Sequence, residues 1–214
     1  MSENAKSRAA GSESKSAAAA GFGLMLTTPI LLCWLFFLFL AAGNGGISNF
    51  GVSALHLAYD TPLATATIAL TGFLFASAAG VLLGGIVADR TDRHGTVAAV
   101  AFFAMALLVV LVAVVDLPTP ALFITLTAAG LLNGVVQPSR DMMVRAVTPP
   151  GAMGTVFGFV TSGFNLGGAV APLAFGYLLD YGRPNLVFWL VAALMMISII
   201  TVGTARGRRA VAAA

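Results

Sequence analysis

The chain has 214 residues, of which 59% are hydrophobic and 9% are charged, and its mean hydropathy is +0.97. About a quarter of the residues in a water-soluble domain are charged, so this composition excludes such a domain and indicates a protein solvated by lipid. The formal net charge of +3 does not predict a nucleic-acid partner, because the basic residues follow membrane topology.

The chain begins with a polar segment and then becomes apolar. Residues 1–20 are mainly Ser, Ala, Gly, Lys and Glu without apolar periodicity, which predicts a disordered cytoplasmic tail. The first apolar segment, residues 24–59, exceeds the roughly 20 residues that cross a bilayer in one straight helix. Near its middle, residues 43–46 are Gly-Asn-Gly-Gly. This cluster predicts a bent or broken helix that lines a cavity.

Five more apolar segments of membrane-spanning length follow: residues 63–88, 97–115, 121–138, 152–179 and 186–202. The third and sixth spans contain neither glycine nor amide side chains, so we expect them to face lipid while the other four line the centre. The second span has a small residue at every fourth position, which predicts a groove for a neighbouring helix: Gly72, Ala76, Gly80, Gly84 and Ala88.

The basic residues give the orientation. Ten of the eleven Lys and Arg lie in the N-terminal tail, the second and fourth connections and the C-terminal segment, and only Arg183 lies on the other side. The positive-inside rule therefore places both termini in the cytoplasm, as an even number of spans also requires. We predict a multi-pass protein of the cell (inner) membrane, with six helices over residues 21–205 and a basic cytoplasmic tail over residues 206–214.

The two halves of the apolar region resemble each other. Gly85-x-x-x-Asp89 ends the second span, and Gly176-x-x-x-Asp180 ends the fifth span 91 residues later, on the opposite side. The purely apolar third and sixth spans recur at about the same interval. This pattern predicts a 3+3 inverted repeat, two three-helix units of opposite orientation such as secondary transporters contain.

A charged turn follows the second span. Its sequence, Gly85-x-x-x-Asp89-Arg90-x-x-Arg93, resembles the loop signature of the major facilitator superfamily. The second glycine and the last basic residue of that signature are replaced here by Asp92 and His94.

Further stretches resemble helices of the same family, in family order. Residues 45–50 and 71–77 resemble the seventh and eighth helices of bacterial members, residues 133–151 resemble the tenth helix with its following loop, and residues 163–180 resemble the eleventh. The resemblance covers about residues 24–205 and corresponds to the second six of twelve helices. It implies one half of a transporter bundle that moves a small solute by alternating access.

Amides and two aromatic residues within the spans are the candidate cavity residues: Asn44, Asn49, Phe75, Asn133, Gln137, Phe164 and Asn165. An amide that faced lipid would leave polar groups unpaired at a cost of several kcal/mol, so the amides should point inward. They either line a cavity or form hydrogen bonds between helices, and the aromatic rings either form cavity walls or pack. We expect every carboxylate to lie in the tail or at a helix end.

The charged turn and the end of the fourth span form a candidate conformational latch: Gly85, Asp89, Arg90, Arg93 and Asp141. Asp89 should lie near the start of the fifth span, around residues 151–154, where free N–H groups and the helix dipole favour an anion. Arg90 or Arg93 should reach Asp141. The alternative is a solvated turn that only fixes topology, since exposed ion pairs contribute little.

Three classes of function are open: a transporter half, a structural or assembly subunit of the membrane, and an intramembrane enzyme with Ser162 as its nucleophile. The sequence contains no G-x-S-x-G elbow, no His/Cys metal spacing and no phosphate loop, so we predict neither catalysis nor a metal or cofactor. A break in the first helix would favour the transporter over the structural subunit.

The expected partners are the lipid bilayer, a small-molecule solute and a second six-helix half, with no nucleic acid. Six such helices form only one wall of a substrate path, and a polar concave face open to lipid is unfavourable. We therefore expect the chain to pair with a separate half or with a second copy of itself, or to be a fragment of a longer gene product.

Overall fold

The computed structural model describes residue 23 and residues 25–212, with side chains as far as residue 201. This part of the chain consists of six α-helices: α1 (Thr28–Tyr59), α2 (Leu63–Asp89), α3 (His94–Val114), α4 (Thr119–Val147), α5 (Met153–Asp180) and α6 (Asn185–Ala212). Helices α1 to α5 are long and apolar enough to cross a membrane, and α6 has a shorter apolar stretch over Asn185–Thr201. The predicted all-α fold with six helices is confirmed.

The predicted boundaries of the terminal segments have different outcomes. The tail predicted over residues 1–20 lies outside the described residues. At the other end, α6 continues to Ala212, past the boundary predicted at residue 205. The backbone of most of the basic segment is therefore helical, and its side chains lie outside the described part of the chain.

Prolines and glycines set the short connections between helices. Pro29 and Pro120 lie in the first turns of α1 and α4, where the missing N–H group has no helical partner to lose. Gly151 (φ 82°) and Gly182 (φ 66°) adopt left-handed backbone conformations on either side of α5. Glycine takes these angles without the steric penalty of a side chain, so the chain reverses direction within a few residues.

The helix contacts have the symmetry of an inverted repeat. Helix α2 packs along α4, and α5 packs along α1 in the equivalent way. Helix α3 packs on α4 as α6 packs on α1, and α3 and α6 contact each other. Equivalent helices begin about 91 residues apart, at Thr28 and Thr119 for α1 and α4, for example. These contacts agree with the 3+3 inverted repeat predicted from the sequence.

Glycines bring α2 and α4 together at backbone distance. A Cβ atom at Gly84 would lie 2.6 Å from the carbonyl oxygen of Val135, and one at Gly130 would lie 2.7 Å from the carbonyl carbon of Phe73. Contacts below 3.0 Å are essentially absent for real Cβ atoms. The groove predicted on the second span is therefore confirmed, and its occupant is α4.

The predicted break in the first span is absent, because α1 is helical from Thr28 to Tyr59. Its glycines instead leave space for large side chains of α5 and α6 to pack against α1. A Cβ atom at Gly46 would lie 2.7 Å from the Phe175 ring and 2.7 Å from Cγ2 of Val191, and one at Gly43 would collide with Met195. The prediction was wrong because the glycine cluster serves helix packing, which an unbroken helix can provide.

Helices α3 and α6 contact each other and pack on α4 and α1, respectively. On α3, Phe102 and Met105 are fully buried against the neighbouring helices, whereas Leu107 is 56% exposed on the outer side. On α6, Val191 is buried and Ile200 is 62% exposed. Helices α2 and α5 also expose large apolar side chains, for example Phe75 at 75% and Leu173 at 74%, so the expectation that the third and sixth helices face lipid stays a prediction.

Candidate functional site

An arginine lies among three helices of the bundle. Arg140 is on α4, and its side chain is only 16% exposed. Its guanidinium carbon is 4.6 Å from the ring centroid of Phe37 on α1 and 5.9 Å from that of Phe164 on α5. Both distances are within the range of cation–π attraction. We call Arg140, Asp141, Phe37 and Phe164 the arginine site.

The arginine site lies at membrane depth. Phe37 is nine residues from the start of α1 and Phe164 is eleven residues from the start of α5, which correspond to about 14 Å and 16 Å along the helices. Helix α1 is about 48 Å long, so about 9 Å at each end extends beyond a hydrocarbon core of about 30 Å. An upright α1 centred on such a core would therefore carry Phe37 about 5 Å inside its nearer edge.

Asp141 is the counter-ion of Arg140. The Nε–H group of Arg140 donates to Oδ1 of Asp141 over 2.9 Å, and the Asp141 side chain is 49% exposed. The predicted partner of Asp141 was Arg90 or Arg93, so the structure corrects that pairing. It also places this carboxylate inside a spanning helix, because α4 continues through Pro138 to Val147.

Two amides, Asn44 on α1 and Asn133 on α4, lie at positions that match the 91-residue repeat to within two residues, and Asn44 is only partly buried. Asn133 is 5% exposed, and its Nδ2 group donates to Oγ of Ser77 on α2 over 3.2 Å. Its Oδ1 atom and that of Asn44 are buried, without a hydrogen-bond partner in the described part of the chain. Asn133 thus forms the interhelical bond that was one of its two predicted roles. The two free oxygens leave acceptors inside the bundle.

The other predicted cavity residues are not gathered in one place. Gln137, on the same helix as Arg140, is half-buried, and Asn49 and Asn165 are exposed. Phe75 is 75% exposed and borders a separate cavity of about 520 Å³ between α2 and α4, with Thr71 and Thr127. Of the predicted set, Phe164 is the residue whose ring lies against the Arg140 guanidinium, at 5.9 Å.

One face of α5 carries small residues that no other helix covers. A Cβ atom would meet nothing within 4 Å at any of its glycines 154, 158, 168 and 176, and the same holds for Gly85 on α2. Asn165 is exposed on this face of α5. We call the α5 residues Gly154, Gly158, Asn165, Gly168 and Gly176 the small-residue stripe.

The charged turn makes no ion pair within the described chain. Asp89, Arg90 and Arg93 are exposed, and none is within 4.0 Å of an opposite charge on another described residue. Helices α2 and α5 do not pack along each other, so no contact holds Asp89 at the start of α5. The latch residues of the charged turn therefore stand at an open edge of the bundle, whereas Asp141 lies in the arginine site.

Ser162, the candidate nucleophile, is engaged in packing. Its hydroxyl donates to the carbonyl oxygen of Phe159 over 2.6 Å and accepts from Nε1 of Trp34 over 3.1 Å. The Trp34 and Phe159 rings stack with centroids 6.2 Å apart. The bond from Trp34 joins α1 to α5, and neither partner of the Ser162 hydroxyl can act as a general base. Among the described residues no group of three His, Cys, Asp or Glu is placed to hold a metal ion.

These features define a multi-pass α-helical membrane protein with inverted-repeat packing and a cation held between its helices. The family model described as Major Facilitator Superfamily matches residues 34–212. The chain therefore belongs to the major facilitator superfamily, whose members are transporters. No curated protein matches the chain significantly.

Sequence analysis misses Arg140 and Phe37. It assigns Arg140 to a loop because proline usually ends a helix and Pro138 stands just before it. A signal was present, since the apolar residues 142–144 follow the charged pair and extend the helical segment. Phe37 is one of many aromatic and apolar residues in its span, and no local pattern distinguishes it.

Proposed function

We propose that this chain is one half of a secondary transporter that moves a small solute by alternating access across the cell (inner) membrane, with both termini in the cytoplasm. The arginine site is the observation that carries this proposal. An arginine inside a spanning helix is costly, and such residues generally face a protein interior or a water-filled path. A subunit that only packs beside another protein gains nothing from this cost, and an enzyme would need a nucleophile with a base.

A break in the first helix was expected to favour a transporter over a structural subunit, and the arginine site now supplies the argument for a transporter. A continuous α1 does not distinguish a transporter from a structural subunit. A guanidinium with unused N–H groups does, because those groups can bind a solute within the membrane-spanning part of the bundle. The buried, unpaired oxygens of Asn44 and Asn133 add acceptors to the same interior.

The small-residue stripe supports a second half as partner. Stripes of small residues in membrane helices are typical contact surfaces, because they let a neighbouring backbone approach closely. In α5 this surface is uncovered within the chain, and it includes the amide of Asn165. Lipid cannot satisfy that amide. A second six-helix unit, either a separate chain or another copy of this one, would cover the stripe.

We assign the latch residues of the charged turn to the same contact between two six-helix units. Asp89 and Gly85 stand at the open edge of α2, where another unit would approach, and the free N–H groups at the start of a neighbouring unit's helix favour an anion. We place the latch between two units rather than within one. Breaking and forming this contact would shift the cytoplasmic side between closed and open states.

The experiment is to purify the chain in mild detergent, measure the mass of the protein component and assay solute uptake after reconstitution. A parallel dimer with saturable uptake supports self-pairing, and a monomer that transports only with a separate six-helix partner supports a hetero-pair. Gly168→Leu, which places a large side chain on the stripe, should reduce pairing and uptake together. A monomer that shows no uptake with or without a partner half contradicts the proposal.

A further inference from the structure

The arginine site contains unused hydrogen-bond donors. Nε–H of Arg140 bonds to Asp141, and no other hydrogen bond of this guanidinium exists within the described chain. Its Nη groups carry four more N–H donors in one plane. Phe37 lies against the guanidinium at 4.6 Å from ring centroid to Cζ, and a ring face can attract the cation but cannot accept its in-plane N–H bonds. These donors therefore remain available to a ligand.

A cavity adjoins the same ion pair. It has a volume of about 460 Å³ and is lined by Asp141 together with Pro138, Met142, Arg145, Met153 and Phe157. This volume is within the range of sites that hold small organic molecules. Apart from Asp141 and Arg145, its walls are apolar, so they suit a hydrocarbon or aromatic body and not a hydrated inorganic ion.

The charges around this space select a monoanion. Asp141 and Arg145 line the cavity, and Arg140 lies beside it, bonded to Asp141, so the three groups together carry one uncompensated positive charge. A carboxylate neutralises that charge and fits the planar guanidinium with two parallel N–H···O bonds. A neutral solute would not neutralise that charge.

We infer that the solute is an organic monocarboxylate with an apolar or aromatic body, bound through Arg140 in competition with Asp141. The inference rests on the proposed transport function. It goes further by assigning the solute class and by giving Asp141 a defined role. Asp141 holds the guanidinium when the site is empty and yields donors to the solute carboxylate when the site is filled.

The test measures binding of benzoate, a probe of this class, to the full chain in detergent by titration calorimetry, with benzamide as the neutral control of the same shape. Fluorescence of Trp34 gives a second signal in a Trp189→Phe background. Trp34 is bonded to Ser162, two residues before Phe164, so it lies near the arginine site. We expect saturable binding of benzoate and none of benzamide.

Three variants separate recognition from packing. Arg140→Met should weaken benzoate binding by about tenfold to a hundredfold, as expected for loss of a charged hydrogen bond. Asp141→Asn removes the internal competitor and should tighten binding several-fold. Arg183→Gln, which changes an exposed arginine beyond the opposite end of α5, should leave binding unchanged. If Arg140 only clamps the helices together, Asp141→Asn leaves benzoate affinity unchanged.

Circular dichroism and gel filtration of each variant show whether it is folded, and the gain of affinity in Asp141→Asn cannot arise from unfolding. Equal binding of benzoate and benzamide, no saturable benzoate binding, or an unchanged affinity in Asp141→Asn overturns the inference. Uptake in proteoliposomes distinguishes it from the proposed function. Benzoate binding without any transport supports the anion site and contradicts the transport function. Uptake of neutral solutes that is insensitive to Arg140→Met supports transport and contradicts the anion site.

Discussion

The close contact between α2 and α4 makes a sharp prediction for two adjacent glycines. Gly84 faces α4, and its added Cβ atom would lie 2.6 Å from the carbonyl oxygen, 2.8 Å from Cα and 3.0 Å from the carbonyl carbon of Val135. Gly85 is the next residue, and an added Cβ atom there would meet nothing within 4 Å. Alanine at these two positions therefore tests the packing with nearly everything else held constant.

The expected difference can be worked out from these contacts. Ordinary contact for a Cβ atom begins at 3.4 Å, and the atoms that Gly84→Ala would meet belong to backbone, which cannot rotate away. Overpacking of this kind typically costs about 1–3 kcal/mol. The gain in helix propensity from Gly to Ala, up to about 1 kcal/mol, applies to both variants and cancels in the comparison. Gly84→Ala should therefore be about 1–3 kcal/mol less stable than Gly85→Ala.

The assay is reversible unfolding of the purified chain in mixed detergent micelles with increasing sodium dodecyl sulfate, followed by circular dichroism. Both variants are compared with the unsubstituted chain under the same conditions. Gly85→Ala should keep or slightly raise the midpoint, and Gly84→Ala should lower it. Equal midpoints for the two variants would refute the backbone contact between α2 and α4.

Three further predictions concern single positions. The unfolding assay checks the first two, and the third adds a measurement of particle mass. Ser77→Ala leaves Nδ2 of Asn133 without its partner and should cost about 0.5–1 kcal/mol, as interhelical hydrogen bonds in membranes do; no loss would mean that the bond contributes nothing. Tyr59→Phe removes the 2.8 Å hydrogen bond to the carbonyl oxygen of Val112 and should cost about 1 kcal/mol, whereas unchanged stability would contradict a bond between α1 and α3. Gly168→Leu should leave the unfolding midpoint unchanged but reduce the paired fraction measured by particle mass, because its Cβ position is open within the chain; an unchanged paired fraction would mean that the stripe is not the contact surface.

Most of the fold is predictable from the sequence because apolar length and charge placement constrain a membrane protein strongly. The second span was predicted over residues 63–88, and α2 runs from Leu63 to Asp89. The fourth span was predicted to end at Pro138, but α4 continues to Val147. Neighbouring helices and water can satisfy the carbonyl that a proline leaves unpaired, so proline is a weaker stop signal in membranes than in water.

The site was harder to predict than the fold. Asn133 was identified from its polarity alone, and its burial and its bond to Ser77 agree with the inward orientation expected for it. Arg140 was missed because its importance depends on the continuation of α4. Phe37 becomes relevant only where α1 approaches α4, and this is a property of tertiary packing. The glycines of α1 were misinterpreted for a similar reason, since a packing glycine and a helix-breaking glycine look alike in one sequence.

The central claim is that the small-residue stripe of α5 meets a second six-helix unit along the solute path, with Asn165 on the water-filled side, while α3 faces lipid. Accessibility of single cysteines in native membranes tests it most directly, with Cys33→Ala as background and a charged, water-soluble thiol reagent as probe. Asn165→Cys reports the stripe, and Leu107→Cys reports the outer side of α3, where that leucine is 56% exposed. The account predicts rapid labelling of Asn165→Cys and none of Leu107→Cys. Failure of the reagent to label Asn165→Cys in unfractionated native membranes, with both variants equally inert, would contradict it.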